Sequence, residues 1–248
     1  MGHAAFKASR NLLRDFGEVE NLAVSRKGAR DFVSTADKRS EKTICQTLRS
    51  AFPDFGFLCE EGGYQKGKQE MTFVVDPLDG TLNFLHGLPH FCISIGLLKN
   101  QEPFAGVILD PIRDEIFWAS CDKGAFMNKR RLRARQTTPS ELQLLALCHT
   151  DITPHMQNKK TSYATRNMGS AALDLAYVAA GRLDGFWGKN LKLWDTVAGM
   201  CLVKEAFGTS KTHIQETAEG KKTKHLLAAS NAFFPALEKI YHAAQSTG

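Results

Sequence analysis

The chain has 248 residues, 43% of them hydrophobic, which is enough for one large domain or for two lobes around a shared core. No apolar run reaches membrane-crossing length, and Met1 to Gly17 contain no apolar signal segment. Six cysteines without a Cys-x-x-Cys pair are no disulfide framework, so the expectation is a soluble protein of a reducing, cytoplasmic compartment. The net charge of +6 gathers partly in Asn128 to Arg135 and in Lys221, Lys222 and Lys224. Such a patch suits solvated loops, steering of anionic substrates, or an RNA or protein partner.

In chain order, Ala5, Ala8, Leu12 and Phe16 recur at helical spacing, and Gly17 can close that helix. A second helix is predicted over Asp37–Ala51, with Asp37 as N-cap and Pro53 beyond the end. Phe73–Asp76 is a short apolar strand leading into a Pro-containing loop. Phe91–Leu98, Phe104–Leu109 and Glu115–Ala119 then read as an antiparallel meander. Beyond about Arg135 strands alternate with helices. Leu142–Leu147 is a buried strand, Ala171–Ala180 a helix ended by Gly181, and Gly185–Trp187 a short strand. Trp194-Asp195 opens another helix, and Leu226–Ala229 is a late strand before a final helix. This alternation favours a mixed or parallel sheet packed by helices. The fold class is therefore α/β. Two lobes are expected, residues 1–135 with an antiparallel sheet and residues 136–248 with a mixed sheet and helices, with the chemistry in the cleft between them.

The most informative segment is Asp76-Pro77-Leu78-Asp79-Gly80-Thr81-Leu82-Asn83-Phe84. A strand delivers Asp76, Pro77 stiffens the exit, and Asp79 returns a second carboxylate to the same side. Gly80 permits a tight turn, and Thr81 can begin a helix. Two acids held this close repel each other unless a cation lies between them. Hard oxygen ligands suit Mg²⁺, and the Leu78 carbonyl is a further candidate ligand. Glu60 and Glu61 follow the apolar Phe57-Leu58-Cys59, and Asp37 and Asp195 each read as helix N-caps. An acid at a cap keeps a second oxygen for a metal.

These residues resemble the inositol monophosphatase family. Two signatures carry the resemblance: Asp76 to Phe84, and Trp194-Asp195-Thr196-Val197-Ala198-Gly199 continuing to Glu205-Ala206-Phe207-Gly208. Asp31 to Asp37 and Glu60-Glu61 stand in family order before them. The resemblance covers nearly the whole chain. It implies an αβαβα sandwich, two to three Mg²⁺ ions, lithium sensitivity and a homodimer. It implies that Glu60, Asp76, the Leu78 carbonyl and Thr81 bind one ion, that Asp76, Asp79 and Asp195 bind a second, and that Glu60 with Glu61 helps hold a third. Glu60 and Thr81 would take the proton of a metal-activated water, with Asp37 orienting Thr81. Gly80 and Thr81 would offer N–H groups to the substrate phosphate. Gly169, Ser170, Ala171 and Asp195 would face the rest of the substrate, with Thr150 nearby.

The implied activity is hydrolysis of inositol monophosphate or a related small sugar phosphate. Fructose 1,6-bisphosphate and nucleotide 3′-phosphates are alternative substrates. An accessory role in RNA polymerase or ribosome assembly is a different class of reading, carried only by the basic patch. Two departures from the family pattern stand out. Phe207 replaces a glycine of the second signature, and Gly188 stands where many members carry a glutamate that accepts hydrogen bonds from inositol hydroxyls.

Overall fold

In the larger of two sheets, successive side chains alternate between a helix-covered outer face and the centre of the molecule. The computed structural model describes residues 1–19, 24–26, 32–136, 143–148, 163–216 and 222–245, with 24–26 and 32–34 as backbone alone. Eight strands form this sheet in the order β10-β9-β8-β7-β6-β5-β3-β4. They are β3 (Gly56–Cys59), β4 (Gly63–Gln65), β5 (Met71–Asp79), β6 (Cys92–Lys99), β7 (Glu102–Asp110), β8 (Glu115–Ser120), β9 (Gly124–Met127) and β10 (Arg130–Arg131). All pairings are antiparallel except β3 with β5. The predicted meander is its centre, β6 to β8. A separate ribbon pairs β1 (Val24–Arg26) with β2 (Phe32–Ser34).

Phe73, Val75, Ile93, Ile95, Val107 and Leu109 pack against Ala5, Ala8 and Leu12 of α1 (Gly2–Phe16) and Ile44 and Leu48 of α2 (Thr35–Ala51). Cys92, Ile108 and Phe117 face the other way, into a core shared with α4 (Ala171–Ala179) and α5 (Leu193–Glu205). Beyond these helices lies a five-stranded sheet in the order β12-β11-β13-β15-β14. Its strands are β11 (Gln143–Cys148), β12 (Tyr163–Arg166), β13 (Gly185–Lys189), β14 (Gly208–Glu216) and β15 (Lys222–Ser230). The sheet is mixed: β11 runs parallel to β12 and β13, while β15 is antiparallel to both its neighbours. Trp187, Leu227, Phe233, Leu237 and Tyr241 seal its outer face under α6 (Phe234–Gln245). The layers are therefore αβαβα, as expected. Among the described residues no helix is long and apolar enough to cross a membrane.

The two acids read as N-caps sit inside the first helical turn instead. α2 begins at Thr35, which puts Asp37 inside its first turn. α5 has Lys192 as N-cap, and Asp195 is its third residue. Asp195 keeps a capping role, because its Oδ2 accepts the Lys192 N–H at 2.8 Å, the back-reaching half of a capping box. α5 also lies unusually close to the large sheet. A Cβ at Gly96 would stand 2.5 Å from Val197 Cγ1, so only glycine lets the helix settle there.

Candidate active site

β5 breaks its register against β6 between Asp76, opposite Ser94, and Asp79, opposite Cys92. Pro77 has no N–H to lose from the ladder, which suits it to this bulge. The Leu78 N–H turns back to Asp76 Oδ1 at 3.0 Å. Ser40 of α2 donates to the Pro77 carbonyl at 2.9 Å and fixes the bulge from outside. Gly80 follows with φ 93°, in the left-handed region. A Cβ there would press on the His90 carbonyl oxygen at 3.0 Å, so both conformation and space call for glycine. The chain then enters α3 (Thr81–Leu85), where the Thr81 hydroxyl donates to the Leu78 carbonyl at 2.9 Å.

The other acids arrive from three directions. Asp37 is buried in the first turn of α2. Glu60 follows β3, and its N–H donates to Val75 of β5 at 3.2 Å, which seats it beside the bulge. The Glu61 N–H donates to Glu41 Oε2 at 2.8 Å. Asp195 enters on α5, whose start is tied to β6 by Ser94 Oγ donating to the Trp194 carbonyl at 3.2 Å.

Asp79 is held by α4. Its Oδ2 accepts from Ser170 Oγ at 2.6 Å and from the Ala172 N–H at 2.8 Å. Ser170 is the N-cap of that helix and is wholly buried. Its hydroxyl therefore serves Asp79 and is closed off from solvent. Asn83 Nδ2 donates to both the His90 and the Met168 carbonyls at 2.8 Å, clamping the segment before Gly169 onto α3. Gly169 is exposed, with φ 80°. Thr150 and Asp31 lie outside the described residues.

The acids strain one another electrostatically. Burial, and then the charges of Asp79, Glu60, Asp195 and Asp37, push the Asp76 carboxyl well above the ordinary range. Burial raises Asp79 too, against the opposing hydrogen bonds from Ser170, Ala172 and Ala171. Asp195 is pushed up to about 7, first by burial and next by Asp79, although the Lys192 N–H favours its charged form. Asp79 and Asp195 are half-buried as whole residues, but their carboxylates sit deep enough for desolvation to lead.

This donor set of four carboxylates, a carbonyl and a hydroxyl is hard oxygen throughout and fits Mg²⁺. Among the described residues, three potential ligand atoms come within 4.8 Å of one another only at Cys121, Asp122 and Glu205. There the Glu205 carboxylate already accepts the Asp122 and Gly124 N–H groups. To share one ion, the carboxylates of Asp76, Asp79 and Asp195 would therefore have to draw together.

Sequence reasoning did not reach Ser94 or Asp174. Asp174 is 1% exposed in the first turn of α4, and burial followed by the Asp79 charge raises its carboxyl. Its signal was a lone acid within the apolar run Ala171–Ala180.

The profile of the Inositol monophosphatase family matches residues 2–246. The chain belongs to the inositol monophosphatase family. Inositol-1-monophosphatase of Rhizobium meliloti (strain 1021) is 46% identical over 226 residues, spanning 85% of this chain and 83% of its own length. Nus factor SuhB of Escherichia coli (strain K12) is 38% identical over 217 residues, covering 83% of this chain and 80% of its own. The crystal structure of extragenic suppressor protein suhB from Bartonella henselae superimposes with a TM-score of 0.88 at 42% identity, covering 98% of this chain and 96% of that one. This family is one of phosphoric monoester hydrolases, and its layered fold is the one described above.

Proposed function

We propose that the chain is a Mg²⁺-dependent phosphomonoesterase of inositol monophosphate or a related small sugar phosphate. The observation that carries this reading is the convergence of buried Asp76, Asp79 and Asp195 with Glu60, close enough for their charges to act on one another, beside the Gly80 turn. Glu60, Asp76, the Leu78 carbonyl and Thr81 would hold one ion, Asp76, Asp79 and Asp195 a second, and Glu60 with Glu61 a third. Bound there, Mg²⁺ supplies Lewis-acid neutralisation of phosphate charge and acidifies water.

The chain's own groups do the rest. Glu60 takes a proton from the attacking water through the Thr81 hydroxyl, which accepts the water's proton as it passes its own to Glu60, and Asp37 helps orient Thr81. The Gly80 and Thr81 N–H groups hold the phosphate. α3 has only five residues, so this seat depends more on the left-handed Gly80 turn than on a macrodipole. Gly169 and Ala171 offer backbone groups to the alcohol portion, while Ser170 steadies Asp79. Phosphate passes directly to water without a phosphoenzyme.

Gly188 shapes selectivity. A Cβ there would run into Leu191 Cδ1 and the Phe186 ring, so apolar side chains fill the space an acid would need. Substrate hydroxyls on that side find no acceptor from residue 188. We infer tolerance among sugar phosphates and weak discrimination among inositol isomers. Lithium inhibition, a homodimer and a cytoplasmic setting accompany this reading.

The relatives named Nus factor SuhB favour a second, transcription-associated role. The basic stretch supports it poorly. The Arg133 guanidinium lies 5.0 Å over the Phe207 ring, and Arg135 pairs with Asp184 at 3.5 Å, so two of its cations are engaged within the chain.

A phosphate-release screen over inositol, sugar and nucleotide phosphates tests the main reading. It should show turnover of several monoesters in Mg²⁺, with similar rates for inositol isomers. Absence of turnover on every monoester would refute it.

A further inference from the structure

Cys45 on α2 and Cys59 at the end of β3 are both buried, and their Sγ atoms lie 3.2 Å apart. That is closer than two sulfurs in van der Waals contact, and a disulfide needs only about 1.2 Å of further approach. The two stand 14 positions apart in sequence. Cys59 directly precedes Glu60 and Glu61. The same helix grips this turn a second time, through Glu41 Oε2 and the Glu61 N–H at 2.8 Å. Glu41 stands one helical turn before Cys45, so both contacts come from one face of α2. Among the described residues, β4 is the one strand beyond Cys59 at this edge of the large sheet, and all three of its residues are exposed. Edge strands are among the elements that open locally at low cost, and local opening at this edge would give a small oxidant access to the pair.

We propose that Cys45 and Cys59 form an oxidative modification site, closed to a disulfide by a hydroperoxide, which draws the Glu60–Glu61 turn towards α2 and weakens binding of the divalent cation. One thiol attacks a peroxide oxygen. The O–O bond breaks, a sulfenic acid forms, and water leaves. The second thiol attacks the sulfenic sulfur, the S–S bond forms, and a second water leaves. Two thiols lose two electrons and two protons in all, and one hydrogen peroxide becomes two waters. A dithiol reverses the change by exchange. The effect on the cation rests on the proposed role of Glu60, whereas formation of the bond does not.

The test uses the full chain treated with hydrogen peroxide, alkylated, and digested with trypsin without reductant. Mass spectrometry should find the peptides 43–49 and 50–66 joined, two hydrogens lighter than their sum, and separated again by dithiothreitol. Both peptides recovered singly and alkylated would overturn the proposal, whether or not the protein hydrolyses any phosphate ester. In the second measurement, oxidation should raise the Mg²⁺ concentration for half-maximal phosphate release by about tenfold, the scale on which displaced metal-site neighbours act. Dithiothreitol should restore it, and Cys45→Ala should be insensitive. A joined peptide with an unchanged Mg²⁺ requirement, or a Cys45→Ala protein that responds like the parent, would overturn the link to the cation site.

Discussion

Gly106 of β7 lies so close beneath Ala198 of α5 that a Cβ at position 106 would stand 2.5 Å from the Ala198 carbonyl oxygen. The obstacle is backbone, which cannot swing aside as a side chain can. α5 carries Asp195, and β5, two strands away from β7, carries Asp76 and Asp79, so this contact helps set the spacing of the acids. Gly106→Ala should lower stability by about 1–3 kcal/mol, the usual cost of overpacking. Turnover at a temperature where the variant is folded should fall as well. Urea unfolding and initial rates check both, and a variant as stable and active as the parent would mean that α5 can slide without consequence.

Ser170 and Asp79 form a hierarchy that kinetics can read. Asp79→Asn removes a charge at the point where charges converge, and turnover should drop by at least about 100-fold. Ser170→Ala removes only the hydroxyl that steadies Asp79, at 2.6 Å, and should cost about 10-fold. The Ser170 loss should shrink as Mg²⁺ is raised. Equal losses in the two variants would give the hydroxyl a direct part in the chemistry.

Without divalent cation, the protein should lose stability as pH rises from about 6.5 to 8. Asp195 reaches about 7 in the folded chain, above its value in an unfolded one. The folded state therefore holds a proton there that the unfolded state has released, and this advantage disappears as pH passes through the folded value. Asp76 and Asp174, also raised, act in the same sense. His90 and His213 are depressed mainly by burial and tilt the profile the other way below their unfolded values, so the comparison belongs above pH 6.5. Melting curves in chelator should show the decline, and saturating Mg²⁺ should abolish it. A flat profile in chelator would mean that burial and neighbouring charge do not hold these carboxyls raised in the folded chain.

Phe207 has φ 62° and is half exposed, just after the end of α5. A left-handed residue at this point is normally glycine, and another residue costs about 1–2 kcal/mol. The Arg133 guanidinium over its ring returns about 0.5–1 kcal/mol. Phe207→Gly should therefore be close to neutral. Phe207→Ala keeps the strain and loses the ring, so it should be less stable than the glycine variant by about 1 kcal/mol. Equal melting temperatures for the two variants would show that the backbone relaxes. Turnover should be unaffected in both.

The acids were legible because each follows an apolar strand or opens a helix, where periodicity changes abruptly. Asp76, Asp79, Glu60 and Asp195 could be placed in this way, and the strands of the meander fell where alternation put them. The polar edge strand β14 was not legible. Much of Gly208–Glu216 faces solvent, so it lacks the apolar alternation that reveals a buried strand. Nor was the contact of Ser170 with Asp79, which joins residues 91 positions apart. Local spacing suggests a cap at Ser170 but not which distant acid the cap serves. The crowding at Gly188 was hidden for the same reason, since it depends on how Phe186 and Leu191 fold back over the strand.

The account rests on Mg²⁺ held by Glu60, Asp76, Asp79 and Asp195, and phosphate release from inositol 1-phosphate as a function of free Mg²⁺ tests it most directly. Release should rise with Mg²⁺ to saturation, fall to background in excess EDTA, and return when Mg²⁺ is restored. Full activity in excess EDTA would contradict the account.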